Sequence, residues 1–288
     1  MLLDEHELYG LAPLRLRLLM RPRRQSPADF SSRDKGLGLE FADYQLFQPG
    51  DDIRHVDWTH FHKDGRLVVR KYDQHETVAI HLMMDLSASM ACLGEDKPRV
   101  VKRLCAALAF CLLHNGAKVV LHPVGHPSLR RRFSAATQWE TCQGAIEALP
   151  VGGVLTLVDE VRQFCYASSR RDHLIVLSDF LTDHEDAGLA SCLGDLSHRA
   201  VLIHPTCAAE VEPALEGGLT LVEAESAGTA SLTVDRQVIA AYQQAYRQYY
   251  DGLRQDAERC ACRYLEVACD DPLHRQMESL APNGVLNL

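Results

Sequence analysis

The chain has 288 residues, 47% of them hydrophobic, which is enough apolar material for one large or two modest domains around a sizeable core. Its formal charge of -9 disfavours nucleic acid as the main partner, because phosphate binding needs a concentrated positive surface. Ten cysteines are scattered without a C-x-x-C pair, so reduced thiols fit better than a zinc ribbon or a dithiol redox centre.

The first residues, Met1 to Glu7, put acids where a secretory signal would carry positive charge. No window offers about 18 uninterrupted apolar residues, so neither export nor direct membrane insertion is expected and the chain reads as cytoplasmic. Leu8, Leu11, Leu14, Leu18 and Leu19 then follow a helical spacing, predicting an amphipathic helix packed on the body. A polar stretch from Gln25 to Gly38 reads as a surface loop. Between 39 and 76, extended segments around Tyr44–Phe47 and Leu67–Tyr72 flank the turn-rich Gln48-Pro49-Gly50-Asp51-Asp52, which predicts a small β-rich module. In the run from Pro49 to Trp58, the proline, glycine and acids read first as conformational punctuation, with Arg54 pairing a nearby acid.

From residue 77 strands and helices alternate. Strands are predicted at 78–84, 118–124, 173–178, 200–205 and 263–268, with an edge strand at 129–134. Helices are predicted near 97–114, 138–149, 155–168, 186–196, 235–258 and 272–280. The acidic, weakly patterned stretch from Ala208 to Ser231 predicts a loop with short strands covering an edge. Near-continuous apolar strands alternating with helices imply an α/β fold, a doubly wound and mostly parallel Rossmann-like sheet over 77–288. Residues 1–76 supply the N-terminal helix and β-rich extension.

The apolar run Val78 to Met84 ends abruptly in Asp85-Leu86-Ser87-Ala88-Ser89, delivering one carboxylate and two hydroxyls at alternate positions. A second apolar strand, Leu174 to Leu177, ends in Ser178-Asp179. In such sheets ligands collect at the carboxyl ends of strands, and a site lined by these oxygens suits a hard divalent cation better than a covalent catalyst. A plainer reading has Asp85 and the serines capping the following helix and Asp179 acting as a turn residue.

These residues carry a resemblance. Asp85-x-Ser87-x-Ser89 with Ser178-Asp179 resembles the metal-ion-dependent adhesion site (MIDAS) of von Willebrand factor type A domains. Together with Gly38-Leu39-Glu40-Phe41-Ala42-Asp43-Tyr44, the Gln48 to Trp58 run and Lys71 through Glu76, it resembles the bacterial domain of unknown function fifty-eight family. The resemblance implies a type A fold in which Asp85, Ser87, Ser89 and Asp179 bind Mg²⁺, with Mn²⁺ or Ca²⁺ as alternatives, and an open position accepts an Asp or Glu of a client protein. It also implies a non-enzymatic, chaperone-like adaptor that works with a MoxR-type AAA+ ATPase. The family pattern has a threonine after a Gly-Gly turn. Here Val154 follows Gly152-Gly153, so Thr156 is the nearest candidate for that ligand.

Two rival readings remain. A metal-dependent hydrolase would use Asp57, His60, His62 and Asp64, with the two histidines sharing one face of an extended segment around zinc. No phosphate loop, nucleophile elbow or H-E-x-x-H helix supports an enzyme. The other rival is a metal-free scaffold, which the Val154 departure keeps open.

Overall fold

A computed structural model describes residues 2–12, 15–16, 39–47, 56–74, 78–94, 97–152, 157–169, 171–181, 188–222, 228–280 and 286–287. The chain divides into two compact units, one of residues 1–20 with 78–288 and one of residues 21–77. The N-terminal helix therefore groups with the α/β body, whereas the sequence reading placed it with the extension.

In order, the elements are α1 (Glu5–Leu11), β1 (Arg15–Leu16), β2 (Leu39–Leu46), α2 (Trp58–Asp64), β3 (Val68–Gln74), β4 (Ala79–Met84), α3 (Lys97–His114), β5 (Lys118–Pro123) and β6 (Arg131–Phe133). These are followed by α4 (Trp139–Glu147), α5 (Leu157–Ala167), β7 (His173–Leu177), α6 (Gly188–Leu196), β8 (Ala200–Thr206) and α7 (Ala208–Val211). The remainder is β9 (Gly217–Val222), β10 (Thr229–Val234), α8 (Arg236–Arg259), β11 (Arg263–Ala268), α9 (Leu273–Ser279) and β12 (Leu286–Asn287).

The predicted doubly wound sheet is present, with strand order β11-β8-β7-β4-β5-β6 and only β6 antiparallel. All six residues of β4 are buried, as expected of a strand covered on both faces. Alternation sends Ile80, Leu82, Met84, Ile175 and Leu177 into one core with α1, α3, α4 and α9. Met83, Leu174, Val176 and Leu202 enter the other core, under α5, α6 and α8. Burying each such side chain contributes roughly 1.5–3 kcal/mol. Cys105 and Cys111 lie in the first core, behaving as small hydrophobes.

From β4 the chain winds outward to β5 and β6, then crosses back to place β7 on the other side of β4. The carboxyl ends of β4 and β7 thus form the topological switch point, where open α/β sheets bind ligands.

Three expectations change. The N-terminal helix spans only residues 5–11, begun by a capping box in which Asp4 Oδ1 accepts from the Glu7 N–H at 2.8 Å. Pro13 lacks the N–H needed to extend the helical ladder, and the leucine spacing carried on past it. Leu14, Leu18 and Leu19 lie outside the described residues. After Ala208, β9 and β10 supply the short strands expected there but pair antiparallel with each other, a small sheet separate from the main one among the described residues. β1 pairs with β12, a link between two-residue strands that the sequence did not announce.

In the smaller unit β2 and β3 pair antiparallel with an irregularity between Phe41 and Asp43. Between them α2 is capped by Asp57, whose Oδ1 accepts from the backbone N–H groups of Thr59 and His60 at 2.9 and 3.0 Å. Gly65 ends that helix at φ 69°, a left-handed conformation that favours glycine.

Candidate functional site

Asp85 extends the β4 ladder by one step, its N–H donating to the Leu177 carbonyl at 2.9 Å, and Ser178 extends β7 by donating to the Ile203 carbonyl at 3.2 Å. Since Met84 is the register partner of Leu177, the two strands deliver Asp85 beside Ser178 and Asp179. The contact is direct. Ser178 Oγ donates to Asp85 Oδ2 at 2.6 Å, and the other oxygen, Oδ1, accepts from the Ser87 N–H at 2.9 Å. That second bond bends the chain so that Ser87 Oγ and Ser89 Oγ meet at 2.9 Å. Asp85, Ser87, Ser89 and Asp179, four of the five residues singled out from the sequence, therefore lie together. Thr156 and Val154 lie outside the described residues. Gly152, at φ 114°, donates its N–H to the Leu86 carbonyl at 2.7 Å, which ties the start of that loop to the Asp85–Ser87 segment.

The helix-cap alternative does not describe this arrangement. α3 begins at Lys97, eight residues beyond Ser89, and a 3-10 segment, Ser89–Gly94, intervenes.

Asp85 and Asp179 are 0% and 1% exposed, so two carboxylates at neighbouring strand ends are shut away from water. Burial, and then the charge of Asp85, push the Asp179 carboxyl up to about 7. The Leu181 N–H, donating to Asp179 Oδ1 at 3.1 Å, and the more distant Lys97 ammonium act in the opposite direction. Asp179 Oδ2 carries no hydrogen bond among the described residues. Two acids holding each other's charge at a cost, with two neutral hydroxyls alongside, make a donor set that fits a small hard cation.

The turn after Asp179 is unusual. Phe180 is fully buried and sits at φ 57°, in the left-handed region, which for a bulky residue costs about 1–2 kcal/mol. Ser178 Oγ accepts from the Phe180 N–H at 3.0 Å. From α8, Tyr250 Oη donates to the Asp179 carbonyl at 2.9 Å and Tyr249 Oη donates to the Phe180 carbonyl. Sequence reading missed these tyrosines, which lie about 70 positions from the turn in a helix whose pattern signals only amphipathicity. The nearest sequence signal for Ser178 was its place beside Asp179 at a strand end.

Lys97, 1% exposed at the start of α3, pairs with Glu210 of α7, and the Glu210 carbonyl accepts from Tyr242 Oη of α8 at 2.9 Å.

The zinc constellation is corrected. Positions 57–64 form a helix with its cap, so positions 60 and 62 fall on roughly opposite faces instead of sharing one. His60 Nε2 lies 3.4 Å from Asp64 Oδ2, an i,i+4 helix pair. Arg54 and the Pro49 turn lie outside the described residues. Among the described residues no group of three or more His, Cys, Asp and Glu side chains is arranged around a metal position. No helix among them is long and apolar enough to cross a membrane.

A family model described as protein of unknown function DUF58 matches residues 43–251. No curated protein matches. Among solved structures, the chain is similar to an aerotolerance-related membrane protein from Bacteroides fragilis, with 11% identity and a TM-score of 0.41. That match covers 72% of this chain and 98% of the other. It is also similar to the pilus adhesin SpaC from Lactobacillus rhamnosus GG, with 14% identity and a TM-score of 0.36, over 72% of this chain and 30% of the other.

Proposed function

The chain belongs to the family of unknown function DUF58, and we propose that it is a protein-interaction adaptor whose Asp85, Ser87, Ser89 and Asp179 hold a divalent cation that captures a client's carboxylate. The observation that carries this reading is the meeting of two buried acids and two hydroxyls at the switch point of the sheet. Mg²⁺ is the best match to so few protein oxygens, because it retains several waters and prefers hard ligands. The bound cation supplies positive charge to an incoming Asp or Glu. The protein's own part is to fix four oxygens and keep the carboxylates desolvated, where charge attraction is strong.

The cluster's hydroxyls are engaged with their neighbours, Ser87 with Ser89 and Ser178 with Asp85, and among the described residues none of these pairs is oriented by a histidine in the manner of a hydrolytic triad. Binding without turnover is therefore the function proposed. The partnership with a MoxR-type AAA+ ATPase and a cytoplasmic location come from the family resemblance in the sequence, and both belong to this proposal.

A metal-free scaffold is the second reading. It is favoured by the saturation of Asp85, both of whose oxygens already accept hydrogen bonds from the protein. Calorimetric titration with Mn²⁺ and Mg²⁺, paired with capture of the ATPase and client with and without chelator, separates the two. The adaptor reading expects wild-type uptake of one cation, lost in Asp85→Ala together with capture. Capture that persists in chelator and in Asp85→Ala would leave the scaffold.

A further inference from the structure

The Asp179 turn is held from a distant part of the chain. Its backbone occupies a left-handed conformation at a buried phenylalanine, which persists only where surrounding groups impose it. Two consecutive residues of α8 do so, since Tyr250 and Tyr249 donate to the consecutive carbonyls of Asp179 and Phe180.

The hydroxyls are themselves fixed by ring packing. Tyr250 stacks on His204 with ring centroids 4.3 Å apart and meets Tyr249 edge-on at 5.0 Å. The fully buried His204 is in turn held by Tyr264, whose Oη lies 2.6 Å from its Nδ1. An aromatic ring pair moves little when packed this way, so the two hydroxyls form a rigid fork.

Resting on the cation reading above, we propose that Tyr249 and Tyr250 are positioning residues of the site. They hold the 179–180 backbone and with it the Asp179 carboxylate, one oxygen bound to the Leu181 N–H and the other left for the cation. Without the fork the turn relaxes toward an ordinary backbone conformation, and the carboxylate loses its direction.

The test uses the full chain and the variants Tyr249→Phe, Tyr250→Phe, the double variant, and Tyr242→Phe as a control that removes a hydroxyl from the same helix. Amide hydrogen exchange reads the turn without any cation, and Mn²⁺ titration reads the site. Exchange at Phe180 and Leu181 should quicken roughly tenfold in the first two variants while Leu174 to Leu177 of β7 stay unchanged. Mn²⁺ affinity should fall about threefold to tenfold in each and further in the double variant, with the control matching wild type. Unchanged exchange at Phe180 and Leu181, quickening that spreads through β7, or wild-type Mn²⁺ affinity in the double variant each overturns the proposal. Wild-type protein that takes up no Mn²⁺ yet shows the local quickening overturns the cation reading alone and supports the hold on the turn.

Discussion

Two buried polar clusters share strand β4, the acids with β7 and a histidine pair with β5, and burial has driven them in opposite directions. At the carboxyl end, Asp179 is pushed up to about 7 beside Asp85. Deeper in the sheet, His81 of β4 and His122 of β5 share a 2.7 Å contact between Nδ1 and Nε2, covered by Phe164 of α5. Burial drives His81 down to about 4 and His122 down to about 3. Each cluster thus leans toward its uncharged form. The histidines reach that state by staying neutral, needing nothing from outside. Asp179 reaches it by holding a proton or, on the reading proposed above, through a cation.

Acid should break the contrast most visibly. His81, His122 and His204, the last also held down to about 3, have folded values below the ordinary 6.5, so the unfolded chain binds protons that the native protein refuses. The histidine contribution is therefore complete above about 6.5 and falls as pH drops toward 4, each adding as much as ~1.4 kcal/mol per pH unit, while Asp179, raised to about 7, offsets about one histidine's worth over the same range. Asp172 opposes this at His81, whereas Arg130 and Arg132 reinforce it. Denaturant melts of Asp179→Asn from pH 7.5 to 4.5 measure the histidine slope, and a flat profile there would mean that these rings are charged in the native state.

Asp179→Asn sharpens the comparison from the other side. It removes a like charge from a buried pair, so in chelator at pH 8 the variant should melt a few degrees higher, on the order of 1–2 kcal/mol. Its Mn²⁺ affinity should fall a hundredfold or more, about 2.7 kcal/mol. Differential scanning fluorimetry with and without Mn²⁺ checks both, and a lower melting point in chelator would show that the two acids are not in conflict. Ser178→Ala removes a donor to Asp85 and an acceptor from the Phe180 N–H, for an expected loss of about 1–3 kcal/mol by urea denaturation. At the small end, Arg254 pairs with Asp251 and Glu266 on an open surface, so Arg254→Ala should change stability by less than about 1 kcal/mol.

The acidic cluster was largely legible in the sequence because its parts are local. Asp85, Ser87 and Ser89 lie within five positions after an apolar run, and Ser178-Asp179 follows another. The parallel register that brings them together follows from the alternation of strands and helices. What stayed hidden is what depends on distant chain. The left-handed Phe180 has no composition signal, since glycine or asparagine is the usual sign of such a turn. The tyrosine fork needs α8 docked before it means anything. His60 and His62 misled because a two-residue spacing reads as one face of a strand, and only the cap at Asp57 with Gly65 reveals a short helix. The β1 and β12 pair is too short for periodicity to register.

The outer strand β6 has a consequence for how copies of this molecule coexist. It offers only three residues at the open margin of the sheet, and two of them, Arg131 and Arg132, are exposed cations. Neighbouring Arg130 is held inward by Glu160 and Gln163. An unfinished margin invites another chain to add its own strand, and like charge on so short a ledge repels an identical ledge. Arg131 and Arg132 thus disfavour the addition of an identical strand at this one margin.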